Sequence, residues 1–289
     1  MADNSRAINR VFTRKVISDL VQDGKSDVFD YVVKRYVEDP SGKTHGQLIS
    51  EIYTRLNQQQ RNEYFYMNTL LNKLLCGIHN VNTTVAFSQV RIEHSIAGFD
   101  MINGERRVYE IKSDLDNFSR LHNQLQDYFC AFNKVSVLAS IHEQEKVRDV
   151  LSSFGEMGEA VGIYVLSEQG TIFSKERSKE PVEYNANLRH SSIFKLLRKK
   201  EYESVLKEYF GFVPETDPVF HFRVCLEKFE EIPILEAQHL ALQEMKKRSK
   251  ITVEQFGKIR PELKAVVYFS NLEKQTPMLN QLLDTPYRR

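Results

Sequence analysis

Between Arg61 and Gly170 the apolar residues change period in a definite order, and that order restricts the fold more than any other feature of the chain. A helical repeat over 62–76 gives way to strand-like segments at 85–92, 96–102 and 107–112. A helix over 117–132 follows, then a strand at 135–139, a helix at 143–154 and a strand at 162–166. Strands separated by a single helix need a crossover, which makes them parallel neighbours with a right-handed connection. Asn103-Gly104, between two of the earlier strands, is a hairpin signal and predicts antiparallel pairing there. The expected class is therefore α/β, a mixed sheet flanked by helices in the order αβββαβ, with helical additions at both ends.

The additions carry their own periodicity. Ile8, Val11, Phe12, Val16, Leu20 and Val21 recur at three- and four-residue intervals, and Gly24 stops them. A second apolar face runs through Val28, Phe29, Val32, Val33 and Tyr36 to the turn signal Pro40-Ser41-Gly42. Thr44-x-x-Gln47 reads as a capping box opening a third helix. Beyond Thr171 the chain is charged and irregular, then helical at 191–210, 219–229, 234–248, 253–259 and 261–272, with breaks at Pro214 and Pro218. The predicted division is a helical region over 1–58, the α/β core over 59–170 and a mainly helical region over 171–289. No internal repeat is present.

Composition narrows the classes. In 289 residues, 41% hydrophobic and 27% charged is ordinary globular usage, which excludes wholesale disorder and collagen-like chains. No apolar run approaches the roughly 18 residues of a membrane span, and the first residues lack the apolar stretch of a secretory signal, so a cytoplasmic protein is expected. Three cysteines, Cys76, Cys130 and Cys225, and eight scattered histidines show no zinc-ligand spacing, and the cysteines read as reduced core residues. A formal charge of +1 means that any surface for nucleic acid must be local.

The chemistry concentrates in one strand. Glu110 and Lys112 are two apart, so their side chains leave the same face, while Tyr109 and Ile111 leave the other. Charge on a central strand is costly unless the two residues pair or serve a ligand. Asp100 stands on the preceding strand and Gln124 on the following helix. That order, Asp100, Glu110-x-Lys112, Gln124, resembles the PD-(D/E)XK nuclease superfamily. The stretches Asn62-Glu63-Tyr64-Phe65-Tyr66, Tyr109-Glu110-Ile111-Lys112-Ser113-Asp114 and Leu121-His122-Asn123-Gln124 are similar to its sce7726-type branch, and the likeness continues in Leu197-Arg198-Lys199-Lys200-Glu201.

The resemblance implies a restriction-endonuclease-like core and a metal-dependent nuclease, with DNA favoured over RNA as substrate and the choice between them left open, in nucleic-acid processing or phage defence. It implies that Asp100 and Glu110 hold Mg²⁺, with Mn²⁺ as a substitute, and that Lys112 orients or deprotonates a water. Hard carboxylate oxygens suit Mg²⁺, which one or two protein acids hold while it keeps several waters. Gln124 either lies beside the site or satisfies backbone. Glu63 either complements the start of its helix or completes the metal site, so the full candidate ligand set is Glu63, Asp100 and Glu110. Asp116 reads as a helix cap and Asp114 as a loop acid.

Two departures from the family pattern matter. Phe99, not Pro, precedes Asp100. A two-residue Asn103-Gly104 hairpin would set Asp100 opposite Arg107, on the face away from Glu110, so a shared site requires a bulge or a wider loop. Candidate phosphate contacts are Arg106 and Arg107 beside the site and the basic run Arg198, Lys199 and Lys200, where a solvated helix face is the plainer reading. The rival functions are a catalytically silent module on the same fold that binds nucleic acid or protein, and a glycosidase-type carboxylate pair, which would leave Lys112 without a task. An accessory protein partner is compatible with the sequence, and the oligomeric state is open.

Overall fold

The computed structural model describes residues 6–59, 61–78, 81–82, 84–102, 106–173, 177–248 and 251–288. Four helices lead the chain: α1 (Arg6–Val11), α2 (Arg14–Asp23), α3 (Asp27–Tyr36) and α4 (His45–Gln59). The expected first helix is two, broken at Thr13, and Gly24 closes α2 in the left-handed conformation, φ 68°. The capping box holds: the Thr44 N–H donates to Gln47 Oε1 at 2.8 Å and the Gln47 N–H to Thr44 Oγ1 at 3.2 Å. Helix α5 (Glu63–Asn72) follows, its first turn capped by Asn62, which accepts from the Phe65 N–H.

The strands are β1 (Val85–Phe87), β2 (Val90–Ile92), β3 (Ser95–Ala97), β4 (Phe99–Ile102) and β5 (Arg106–Ile111), then α6 (Leu121–Phe129), β6 (Lys134–Ser140), α7 (Gln144–Ser152), α8 (Gly155–Ala160) and β7 (Gly162–Leu166). Five of the strands form one sheet in the order β1-β4-β5-β6-β7. β1, β4 and β5 pair antiparallel, and β5, β6 and β7 pair parallel, the mixed sheet that the periodicity predicts. Each of the first two expected strands is split. Gln89 takes φ 58° between β1 and β2, a bend intervenes at Gly98, and β2 and β3 turn away as a two-stranded ribbon of their own.

Register decides the site. β4 pairs with β5 as Phe99↔Tyr109, Asp100↔Val108, Met101↔Arg107 and Ile102↔Arg106. Opposed residues in an antiparallel pair share a face, so Asp100, Val108 and Glu110 lie on one side of the sheet. The connection spans three residues, 103–105, rather than two, which is the wider loop that a shared site requires. The Asn103-Gly104 turn itself lies outside the described residues.

Both faces of the sheet are covered, as parallel strands require. One face, with Phe99, Met101, Tyr109, Ile111, Leu138 and Tyr164, packs on α1–α5. It also packs on α13 (Val253–Gly257), α14 (Lys264–Phe269) and α15 (Thr276–Leu283). The other, with Val85, Ile102, Val108, Val135, Val137 and Ile163, packs on α6–α8, α9 (His190–Lys195), α10 (Lys199–Phe210), α11 (His221–Phe229) and α12 (Ile234–Lys246). The helices of 6–59 and 253–283 thus share one core, and those of 190–246 belong to the opposite core. Cys130 and Cys225 are buried and free, and Cys76 lies where side chains are outside the description. Among the described residues no helix is long and apolar enough to cross a membrane.

Candidate functional site

Glu110 is the second-last residue of β5, on the face covered by α6. The ladder runs one residue past the strand, because the Lys112 N–H donates to Leu138 O at 2.9 Å, so Lys112 keeps the parity of Glu110. Both side chains are buried, 5% and 6% exposed. The Lys112 Nζ lies 2.9 Å from Glu110 Oε1 and donates to Gln124 Oε1 at 2.7 Å. The Tyr128 O–H donates to Glu110 Oε2 at 2.6 Å. Glu110 therefore has one oxygen on each of two donors, and Lys112 has one hydrogen beyond those given to Glu110 and Gln124.

These residues open into a polar cleft of about 220 Å³ lined by Glu63, Gln89, Ile96, Gly98, Glu110, Ile111, Lys112, Asp116, Arg120 and Gln124. Glu63, at the first position of α5, is exposed yet reaches over the sheet: a Cβ at Gly98 would stand 3.0 Å from Glu63 Oε1. Gly98 is one step beyond the Phe99↔Tyr109 pair, level with Glu110, so the glycine leaves the room that the Glu63 carboxylate uses. Although the residue as a whole is exposed, desolvation of the carboxylate where it reaches over Gly98 raises the Glu63 pKa above the ordinary carboxylate value, and the charges of Asp116 and Glu110 raise it further. Asp116 does not cap a helix, since α6 begins at Leu121 rather than at 117. Its Oδ2 accepts from the Ser113 N–H at 2.9 Å and from the Ser113 hydroxyl at 2.6 Å. Asp114 accepts from Tyr66 Oη at 2.6 Å, which ties the loop after β5 to α5.

Asp100 shares the face of Glu110 but is not among the residues lining the cleft. It is fully buried, pairs across β1 with Phe87, and neither carboxylate oxygen has a hydrogen-bond partner. Burial pushes its pKa up to about 8, opposed by the nearby Met101 N–H, which does not reach hydrogen-bond geometry with either oxygen, and by the charge of Arg248. Among the described residues no three His, Cys, Asp or Glu side chains are grouped to hold a metal ion.

The basic candidates separate. Arg107 has the parity of Met101, so it leaves the other face of the sheet, where its Nη1 bonds Tyr164 Oη at 2.8 Å and Glu180 Oε2 at 2.5 Å. Arg106 sits opposite Ile102, and its side chain is outside the description. Arg198, Lys199 and Lys200 are exposed at the start of α10, with Lys199 Nζ 3.8 Å from Glu203 Oε1. Glu93 is held by Ser192 Oγ at 2.6 Å and takes no part in the cleft.

The structure therefore brings Glu63, Glu110, Lys112 and Gln124 together in one cleft, places Asp100 on the same sheet face but outside the cleft lining, and sends Arg107 to the opposite face. Tyr128, Asp116, Arg120 and Gln89 were not foreseen as site residues. The signal for Tyr128 was present: it follows Gln124 by four on α6 and so lies on the same helical face.

Comparison with known proteins adds a family. The family model described as Bacteriophage P4 protein cII matches residues 56–275, most of the chain, and the protein belongs to that family. That description names no reaction. No curated protein and no solved structure matches significantly.

Proposed function

We propose that this member of the bacteriophage P4 cII family is a metal-dependent nuclease on a restriction-endonuclease-like core, with DNA as its first substrate to test. The observation that carries the reading is the convergence of Glu110, Lys112 and Gln124 with Glu63 in one polar cleft. Burying a Glu–Lys pair on a sheet face otherwise lined with Val108 and Val137 adds little to stability, because desolvation offsets most of the attraction. Such a pair is better explained by service to a ligand than by packing.

The residues fit Mg²⁺ by donor type and charge. Glu63 and Glu110 would hold the ion, with Asp116 near enough in charge to raise the Glu63 pKa, and such a surplus of negative charge is relieved by a cation. When bound, the ion would lower the pKa of a water and offset charge on the phosphate. The chain's own residues then divide the work. Tyr128 fixes the Glu110 carboxylate, Gln124 and Glu110 fix the Lys112 ammonium, and the remaining Lys112 hydrogen is available to a phosphate oxygen or the attacking water. Arg120, exposed at the rim, supplies a second positive charge to the substrate.

A catalytically silent binding module on the same fold draws its support from one observation, the exclusion of Asp100 from the cleft. Cleavage of plasmid and linear DNA with Mg²⁺ or Mn²⁺ separates the two readings. The expected result is cleavage by the wild type, with a loss of about a hundredfold or more in Lys112→Met and Glu110→Gln, the scale of a positioned electrostatic or acid–base group. Equal activity in all three proteins, or none in the wild type with either ion, refutes the nuclease.

A further inference from the structure

A second hollow, of about 240 Å³, lies between the edge strand β1 and the helices α10 and α14, lined in part by Ser88, Arg198, Arg248, Tyr268, Asn271 and Glu273. Ser88 and Gln89 are consecutive, and the first lines this hollow while the second lines the cleft of Glu110 and Lys112. One turn of chain therefore borders both. Resting on the nuclease reading, we propose that this hollow binds a phosphodiester of the strand whose scissile phosphate lies in the cleft, and so sets where the substrate is held.

The donors are of the type that a phosphate needs. Arg248 is held in place by Glu201, with Nε to Oε1 at 2.7 Å and Nη2 to Oε2 at 2.5 Å, and by Leu196 O at 2.8 Å, while its guanidinium lies over the Phe87 ring, 5.6 Å from the centroid. It is a rigid wall. Arg198 is exposed beside it, and the adjacent Lys199 and Lys200 add two more positive charges at the first turn of α10. Cations at that end of a helix oppose its dipole, a cost that Glu201 in the same turn and Glu203, 3.8 Å from Lys199, offset in part and that an anion in the hollow would offset further. Tyr268 Oη accepts from the Ala86 N–H at 3.0 Å, which leaves its own hydrogen for an acceptor in the hollow. Asn271 is held at φ 55°, as Gln89 is at φ 58°, so two of the three non-glycine residues with positive φ among the described residues border the two hollows. Backbone held in that region concentrates at ligand sites. Glu273 opposes an anion and Glu201 balances Arg248, so the net positive charge at the hollow comes from Arg198 and the adjacent Lys200.

Binding of a short fluorescein-labelled DNA duplex to the full chain, followed by anisotropy in EDTA over a range of NaCl, tests the assignment without cleavage. Arg198→Glu and Ser88→Asp are each expected to weaken binding by about tenfold or more, and Arg198→Ala to lower the slope of log affinity against log salt by about 1. Lys207→Glu, at the other end of α10, is the matched charge control and is expected to change little. If Arg198→Glu and Lys207→Glu weaken binding equally, or if neither Arg198→Glu nor Ser88→Asp weakens it, the hollow is not a phosphate site. Cleavage that persists with unchanged binding in Arg198→Glu overturns this assignment and leaves the nuclease standing. Selective loss of binding in a protein that cleaves nothing leaves the hollow standing as a phosphodiester-binding site and removes the nuclease, and with it the scissile phosphate in the cleft. A wild type that binds no DNA refutes both.

Discussion

Replacing Asp100 by Asn separates a metal ligand from a buried neutral acid. In the folded protein this carboxyl is fully buried, neither oxygen is paired with a protein donor, and its pKa is pushed from 3.8 to about 8. The sign follows from proton counting. Between about pH 4 and pH 8 the folded state keeps the proton and the unfolded chain has lost it, so folding is disfavoured progressively as the pH rises. The slope is about 1.4 kcal/mol per pH unit, which accumulates to about 4 kcal/mol at pH 7 relative to acid conditions. Asn has the same shape and does not titrate. Its extra amide donor adds an offset that is constant with pH, so the slope, not the offset, carries the test. Urea unfolding in EDTA at half-unit steps from pH 5 to pH 8 should show Asp100→Asn gaining on the wild type by about 1.4 kcal/mol per unit, levelling off above pH 8. A difference that stays constant within about 0.5 kcal/mol across that range refutes the buried neutral acid. The same variant should bind Mg²⁺ as the wild type does, because Asp100 does not line the cleft. A large loss of Mg²⁺ affinity would restore it to the ligand set.

Two further outcomes follow from the cleft. Tyr128→Phe removes the donor to Glu110 Oε2 and leaves a buried carboxylate oxygen unpartnered, so urea unfolding should show a loss of about 1.5–3 kcal/mol, with weaker Mn²⁺ binding by calorimetry. An unchanged Mn²⁺ affinity would mean that Tyr128 serves packing alone. Because the Glu63 pKa is raised, Mn²⁺ binding should weaken, as pH falls, at a higher pH than an ordinary carboxylate would give, and Glu63→Gln should remove that step from the binding profile. Identical pH profiles for the two proteins would take Glu63 out of the site.

Much of the architecture is legible from local pattern. The alternation of helix and strand periods gave the parallel half of the sheet, because a strand, a helix and a strand in sequence have few ways to bury their apolar faces together. The spacing of Glu110 and Lys112 placed both on one face, and the four-residue step from Gln124 to Tyr128 put both on one side of α6. Parity within each strand also set the condition that Asp100 and Glu110 share a face only if the connection after Ile102 is bulged or wider than two residues.

What the sequence determined by itself is therefore the face that each side chain takes within its own element. The tertiary structure decided everything that depends on alignment between elements. Register put Gly98, not Asp100, level with Glu110, and the helix start at Glu63 supplied the acid that fills the space. The departure of β2 and β3 as a ribbon turned Gln89 toward the cleft, and the parity of Arg107 carried it to Glu180 on the far face. The helices of 6–59 met those of 253–283 across some two hundred residues. The reason is physical: period is a property of one segment's backbone, whereas register, docking and burial are settled by which remote surfaces exclude water together, and no local pattern encodes that choice.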